Sequence, residues 1–89
     1  NAYATVGRHC ILNTGSIIEH EAKIGDFCHI STGVVINGQA VVNDRCFVGS
    51  NATIINNKII AKSTLVGAGT TVIDDLKTGV YVGNKERKL

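Results

Sequence analysis

The sequence predicts an all-β parallel solenoid of about four coils, and three observations carry that prediction. An aliphatic residue recurs at every sixth position, twelve times without a gap: Val6, Leu12, Ile18, Ile24, Ile30, Ile36, Val42, Val48, Ile54, Ile60, Val66 and Val72. A period of six matches neither the 3.6 of a helix nor the 2 of an amphipathic strand. It marks hexapeptides that each form one short flat face and a turn, three of them to a coil. A second register lies four residues after the first: Cys10, Ser16, Ala22, Cys28, Val34, Ala40, Cys46, Ala52, Lys58, Thr64, Thr70 and Leu76. Ten of these twelve are small or β-branched, as a tight corner beneath a closely stacked coil requires. Just after the aliphatic position stand Gly7, Gly25, Gly49 and Gly67, with Asn13, Asn37 and Asn43, residue types that tolerate corner geometry and close approach.

Taken in order, Asn1 to Thr5 should form a partial coil with an open edge, which protein chains normally cover. The hexapeptides from Val6 to Lys77 then fill the four coils. Residues preceding the aliphatic position should point outward, and Ile11, Ile17, Val35, Val41, Phe47, Ile59 and Leu65 are apolar there. Ile11, Phe47 and Leu65 share one column with His29, which makes a greasy outer stripe interrupted by a histidine. Such a stripe marks a protein interface, and a closed homotrimer suits a three-sided prism. The competing reading is a stripe covered by a part of the protein outside this chain. After Val72 the pattern stops: Asp74 and Asp75 interrupt it, and Thr78 to Gly83 reads as a turn and short strand. Lys85-Glu86-Arg87-Lys88 reads as a solvated end, with phosphate contact as its functional alternative. The expected division is therefore a β-helix over 1–77 and a closing strand with charged tail over 78–89.

A formal net charge of +2 gives no argument for nucleic acid or a membrane surface as partner. No apolar run approaches transmembrane length, and no signal peptide is expected. The chain begins at Asn1 and contains no methionine, so it is expected to be a portion of a longer polypeptide. Cys10, Cys28 and Cys46 should stack in one column as small corner residues continued by Thr64, reduced and structural, which favours the cytoplasm.

The three histidines are His9, His20 and His29. His20 lies in Glu19-His20-Glu21, and a carboxylate beside an imidazole raises its basicity and holds one tautomer, as a general base requires. The plain alternative is an exposed Glu-His pair without function. His29, half a coil further on, is placed to face His20 across a subunit interface, and His9 reads as a surface residue. Spacings of 11 and 9 do not put the three on one column, so no metal site is expected. The same spacing argues against a γ-class carbonic anhydrase. An ice-binding solenoid wants a flat threonine array, but Thr53 and Thr71 share their column with Ile17 and Val35.

The stretch Ile11-Leu12-Asn13-Thr14-Gly15-Ser16-Ile17-Ile18-Glu19-His20-Glu21, followed by Ile24-Gly25-Asp26-Phe27-Cys28-His29-Ile30, resembles the hexapeptide-repeat sugar acetyltransferases. Within these it is most similar to the sialic acid O-acetyltransferase and bacillosamine-type UDP-amino-sugar N-acetyltransferase family. Val66-Gly67-Ala68-Gly69 and Gly79-Val80-Tyr81-Val82-Gly83-Asn84 match the closing segment of that family. The resemblance implies a left-handed parallel β-helix, a homotrimer, and acetyl-CoA lying in the groove between neighbouring helices. It also implies roles for single residues. His20 matches the general base, Glu21 the carboxylate that raises its basicity, and Asn13 a polar residue lining the substrate site. His29 matches a contact to acetyl-CoA, and Ser50 and Ala68 fall where the backbone meets the pantetheine arm.

The chemistry implied is direct transfer, in which an amine or hydroxyl of a sugar or nucleotide-sugar loses a proton to His20 and attacks the thioester. Proximity and one base suffice, so no cysteine nucleophile is expected. Small residues such as Gly49 and Gly67 should leave backbone N–H groups accessible to acetyl-CoA and to the tetrahedral oxyanion. Two departures from the family stand out: its amino-terminal sugar-nucleotide-binding domain is absent from this chain, and Gly83-Asn84-Lys85-Glu86 replaces a common Gly-Asn-Pro-Ala ending. The reading from another class is a structural β-helix that trimerises and presents a neighbouring domain without catalysis.

Overall fold

Two-residue strands separated by four-residue corners repeat along the chain, and the computed structural model describes residues 4–83. The strands wind into a left-handed parallel β-helix with three faces and about four coils. Face A holds β1 (Thr5–Val6), β4 (Lys23–Ile24), β7 (Val41–Val42) and β10 (Ile59–Ile60). Face B holds β2 (Ile11–Leu12), β5 (His29–Ile30), β8 (Phe47–Val48), β11 (Leu65–Val66) and β13 (Val80–Tyr81). Face C holds β3 (Ile17–Ile18), β6 (Val35–Ile36), β9 (Thr53–Ile54) and β12 (Thr71–Val72). The described residues form no helix.

The six-residue period becomes three columns because each residue pairs with the one 18 positions on, as in Ile11 with His29 and His29 with Phe47. The second residue of each strand points inward, and Ile30, Ile36, Val42, Val48, Ile54, Ile60, Val66 and Val72 are fully buried. The register four residues later also faces the core, with Ala22, Val34, Ala40 and Ala52 at 0% exposure. The first coil departs from this, since Val6 and Leu12 remain exposed. Along face B the outward positions Ile11, Phe47, Leu65 and Val80 are exposed and apolar, with His29 half-buried among them.

The hydrogen bonds between coils have a direction. Strand N–H groups donate toward the following coil, as Thr5 to the Ala22 carbonyl at 3.0 Å and Ile11 to the Cys28 carbonyl at 2.9 Å. Corner N–H groups donate backward, as Phe27 to the Arg8 carbonyl at 2.8 Å and Gln39 to the His20 carbonyl at 3.1 Å.

The corners correct one sequence expectation. The left-handed backbone falls three residues after each aliphatic position from Val6 to Val66 and not one residue after it: His9, Gly15, Glu21, Phe27, Gly33, Gln39, Arg45, Asn51, Asn57, Ser63 and Gly69 all have φ between 57° and 75°. Ser16 N–H donates to the Asn13 carbonyl and Ala22 N–H to the Glu19 carbonyl, both at 3.1 Å, so these corners are turns with positive φ at the third residue. A side chain there costs about 1–2 kcal/mol. The backward hydrogen bond from the same residue offsets this, which is why Phe27 and Gln39 are tolerated in place of glycine. Gly7, Gly25, Gly49 and Gly67 serve close approach instead. A Cβ on Gly49 would lie 2.5 Å from the Ala68 nitrogen. Asn37 and Asn43, at the equivalent position, donate through Nδ2 to the Ile54 and Ile60 carbonyls of the following coil at 3.0 Å.

Cys10, Cys28 and Cys46 stack in one column as free thiols, donating to the Gly25, Asn43 and Ala61 carbonyls at 3.0, 3.1 and 3.1 Å. The neighbouring Cys46 side chain and burial push the Cys28 thiol up, so it stays a neutral donor. Lys58 is half-buried in an otherwise small or apolar column, and nothing in the structure explains it.

At the carboxyl-terminal end Asp75 Oδ1 accepts the Ile59 N–H at 2.8 Å and Leu76 bridges to Ile60. β13 then pairs with β11, and the Tyr81 hydroxyl donates to the Lys77 carbonyl at 2.8 Å. Asn1 to Tyr3 of the expected partial coil, Asn84, and the tail from Lys85 lie outside the described residues.

Candidate active site

The residues singled out by sequence divide between two corners of the prism. His20 and Glu21 stand at the corner where face C turns into face A. Asn13, Gly49, Ser50, Gly67 and Ala68 stand at the corner between faces B and C, with His29 beside them on face B. Face C lies between the two groups, so one chain does not bring them together.

At the first corner, β3 ends in Glu19-His20-Glu21 and Glu21 takes the left-handed turn with φ 61°. This turn puts consecutive side chains on one side, and Glu21 Oε1 lies 3.9 Å from His20 Nε2. Both side chains are about half exposed, at 48% and 57%. The distance is that of an ion-pair contact, longer than a hydrogen bond. The pair sits in a surface cleft of ≈ 480 Å³ lined by Glu19, His20 and Glu21 of the first coil, Asn37, Gly38 and Gln39 of the second, and Asn56 of the third.

Sequence reasoning missed this upper wall. Gly38 stacks above His20, where a Cβ would stand 3.3 Å from the His20 carbonyl oxygen; its missing side chain keeps the space above the imidazole open. Gln39 stacks above Glu21 and donates from Nε2 to Glu21 Oε1 at 3.0 Å. The signal was available: a spacing of 18 puts Gly38 and Gln39 over His20 and Glu21. A second cleft of ≈ 360 Å³ continues from Glu21 and Gln39 onto face A, past Lys23 and Val41.

At the second corner Asn13 Nδ2 lies 3.3 Å from His29 Nε2. His29 also packs against Phe47, with ring centroids 4.8 Å apart and planes inclined at 48°. Two contacts therefore fix the imidazole before any ligand arrives. The expectation for Gly49 and Gly67 is corrected here, because their N–H groups already donate to the Val66 and Tyr81 carbonyls, both at 2.7 Å. The Ser50 and Ala68 N–H groups, one residue further on, make no hydrogen bond to another described residue. Among the described residues, the unengaged donors at this corner are thus displaced by one position.

His9 stacks on Phe27 with centroids 5.2 Å apart, and the Arg45 guanidinium lies 5.2 Å from the same ring. This aromatic ladder occupies the corner between faces A and B, away from both groups. Among the described residues, no three His, Cys, Asp or Glu side chains are arranged to hold a metal.

Comparison with known proteins gives the following. A family model for the bacterial transferase hexapeptide, six repeats, matches residues 21–56. No curated protein gives a significant match. Among solved structures, a serine acetyltransferase from Neisseria gonorrhoeae shares 26% identity with a TM-score of 0.90, over 98% of this chain and 38% of that one. A hexapeptide-repeat acetyltransferase from Vibrio cholerae shares 18% identity with a TM-score of 0.88, over 98% of this chain and 61% of that one. A GDP-perosamine N-acetyltransferase variant from Caulobacter crescentus, in complex with CoA and GDP-perosamine, shares 21% identity with a TM-score of 0.69. That match covers 100% of this chain and 51% of the other. The chain thus spans less than two thirds of each of these proteins. No helix among the described residues is long and apolar enough to cross a membrane.

Proposed function

We propose that this chain is the β-helical part of an acetyl-CoA-dependent acetyltransferase whose acceptor is an amine or hydroxyl of a sugar or nucleotide-sugar. The observation that carries the proposal is the His20–Glu21 pair, 3.9 Å apart at the mouth of an open cleft, on a fold whose solved neighbours are acetyltransferases. Among those neighbours, the perosamine N-acetyltransferase complex contains CoA and a nucleotide-sugar, which supports both halves of the reaction.

In this reading His20 takes the proton from the acceptor as its nitrogen or oxygen bonds to the thioester carbonyl carbon. Glu21 stabilises the imidazolium that results. The tetrahedral intermediate collapses by breaking the carbon–sulfur bond, and the leaving thiolate recovers the proton. Ser50 and Ala68, with open N–H groups, contact acetyl-CoA at the corner between faces B and C, beside His29. Gly49 and Gly67 contribute by leaving that corner without side chains. Asn13 lines the site through its contact with His29.

The reaction needs both corners, and face C separates them within a chain. A closed homotrimer that sets the His20 corner of one copy against the His29 corner of the next would unite them, and the exposed apolar residues of face B supply an interface. Free thiols in the core accord with a cytoplasmic setting.

The test is a calorimetric titration with acetyl-CoA under conditions where the chain is trimeric, alongside His29→Ala. Saturable binding near one per subunit, weakened by the variant, is the expected result. Absence of binding by a verified trimer would leave a structural β-helix as the better reading. Turnover assays of His20→Ala should then show a loss of about 10²–10⁴-fold; near wild-type activity would remove His20 from the role of base.

A further inference from the structure

We propose that Gln39 is a positioning residue for the His20–Glu21 pair, tethering both members from the coil above. This inference rests on the functional reading just given and adds a residue to it.

The geometry is a double clamp. The Gln39 main-chain N–H donates to the His20 carbonyl at 3.1 Å, and its side-chain Nε2 donates to Glu21 Oε1 at 3.0 Å. That oxygen is the same one that lies 3.9 Å from His20 Nε2. One residue therefore fixes the backbone beneath the imidazole and the carboxylate beside it.

The tether matters because the pair is exposed. A half-exposed carboxylate next to an imidazole gains little from the charge contact and loses rotamer freedom to keep it. Left alone, the Glu21 side chain would spend much of its time pointing into water. A charge-assisted hydrogen bond from a neighbour on a rigid ladder removes that freedom. The ladder itself is rigid because Glu21 and Gln39 occupy equivalent left-handed positions, with φ 61° and 63°, one coil apart. Glutamine also has the right chemistry: it donates to the carboxylate without the charge of a lysine, which would compete with the imidazolium for Glu21.

The experiment measures the rate at which diethylpyrocarbonate modifies each imidazole, resolved by peptide mass spectrometry, with His9 and His29 as internal references. It is run on the wild type, Gln39→Met, Gln39→Ala, Glu21→Gln and the Glu21→Gln/Gln39→Met pair. Gln39→Met keeps the length of the side chain and deletes only the donor. At alkaline pH, where the rate reads the nucleophilicity of the imidazole and not its protonation, the expected result is a roughly threefold slower modification of His20 in Gln39→Met and Glu21→Gln, with His9 and His29 unchanged. The double variant should lose no more than Glu21→Gln alone. An unchanged His20 rate in Gln39→Met, with Glu21→Gln slowed, overturns the proposal. Equal slowing of all three histidines overturns it too, since that is a general loss of structure. No acceptor or acetyl-CoA enters this measurement, so a failed acetyl-CoA titration would sink the functional reading separately.

Discussion

Asn13 Nδ2 stands 3.3 Å from His29 Nε2, which couples a residue expected to line the acceptor site to one expected to contact acetyl-CoA. The contact holds the amide of Asn13 against one edge of the imidazole ring. Asn13 thus orients His29 before it does anything else. Asn13→Ala should weaken acetyl-CoA binding by about fivefold, the worth of one hydrogen bond near 1 kcal/mol. Calorimetry on the variant reads this directly. An unchanged acetyl-CoA affinity, together with a raised acceptor KM, would return Asn13 to a direct role toward the acceptor.

Separation of the two corners by face C makes a sharper test possible. If each site combines His20 of one copy with His29 of the next, chains carrying His20→Ala and His29→Ala should rescue one another. In randomly mixed trimers about a quarter of the sites would hold both intact histidines. Acetyl transfer by the mixture, at acetyl-CoA concentrations limiting for His29→Ala, should approach that share of the wild-type rate, while each variant alone stays well below it. No rescue in verified mixed trimers would mean that a site lies within one subunit.

Two glycines separate close contact from backbone freedom. Gly49→Ala forces a Cβ to 2.5 Å from the Ala68 nitrogen and 2.9 Å from its Cα, both backbone atoms. Gly69→Ala meets nothing within 4 Å but adopts φ +72°. Urea unfolding should show Gly49→Ala losing about 2–3 kcal/mol or more, as overpacking does. Gly69→Ala should lose only about 1 kcal/mol, the cost of a left-handed side chain. The reverse order would mean that the two coils are free to move apart at that corner.

Thr70 is wholly buried, and its Oγ1 has no hydrogen-bond partner among the described residues. Valine has the same shape without the hydroxyl. Thr70→Val should therefore stabilise the chain by about 1 kcal/mol, and raise Tm by roughly 4–8 °C. A loss of stability would show that the hydroxyl holds a buried water or a group from a neighbouring copy.

Acid behaviour should expose one carboxylate ladder. Asp26 Oδ1 accepts the Arg8 main-chain N–H at 2.8 Å and Oδ2 meets the guanidinium at 3.4 Å. The backbone donor, before the side chain of Arg8, holds the Asp26 carboxyl below its ordinary value. With the folded pKa below the unfolded one, the unfolded chain binds more protons in that window. The stabilisation is present above the unfolded value near 3.9 and fades as pH falls through the folded value. Chemical unfolding from pH 5 downward should show a shallower decline in Asp26→Asn than in the wild type. Parallel declines would place the acid-sensitive group elsewhere.

The period of six was legible because the strand positions Ile24 to Val72 obey one burial requirement, and burial selects a narrow class of side chains. The corners were less legible because backbone hydrogen bonds decide them. His9, Glu21 and Phe27 adopt a conformation that composition alone would assign to glycine. His20 and Glu21 stood out as sequence neighbours. Gln39 and Gly38 did not, since their partners lie a whole coil away and only the stacking register reveals the contact. Gly49 and Gly67 were read as open donors from their size, but size says nothing about whether an N–H is already engaged.

The pairing of each residue with the one 18 positions on has a genetic consequence. Duplicating or deleting a stretch of that length returns every later residue to its own column, keeping corner, face and neighbour chemistry. A duplication of six residues keeps the buried pattern intact but rotates all that follows by one face. Such a change would leave a sound solenoid in which Gly38 and Gln39 no longer stack over His20 and Glu21 if it fell between them. Length variation in genes of this kind should therefore be filtered in whole coils, even where the core alone would accept a third of one.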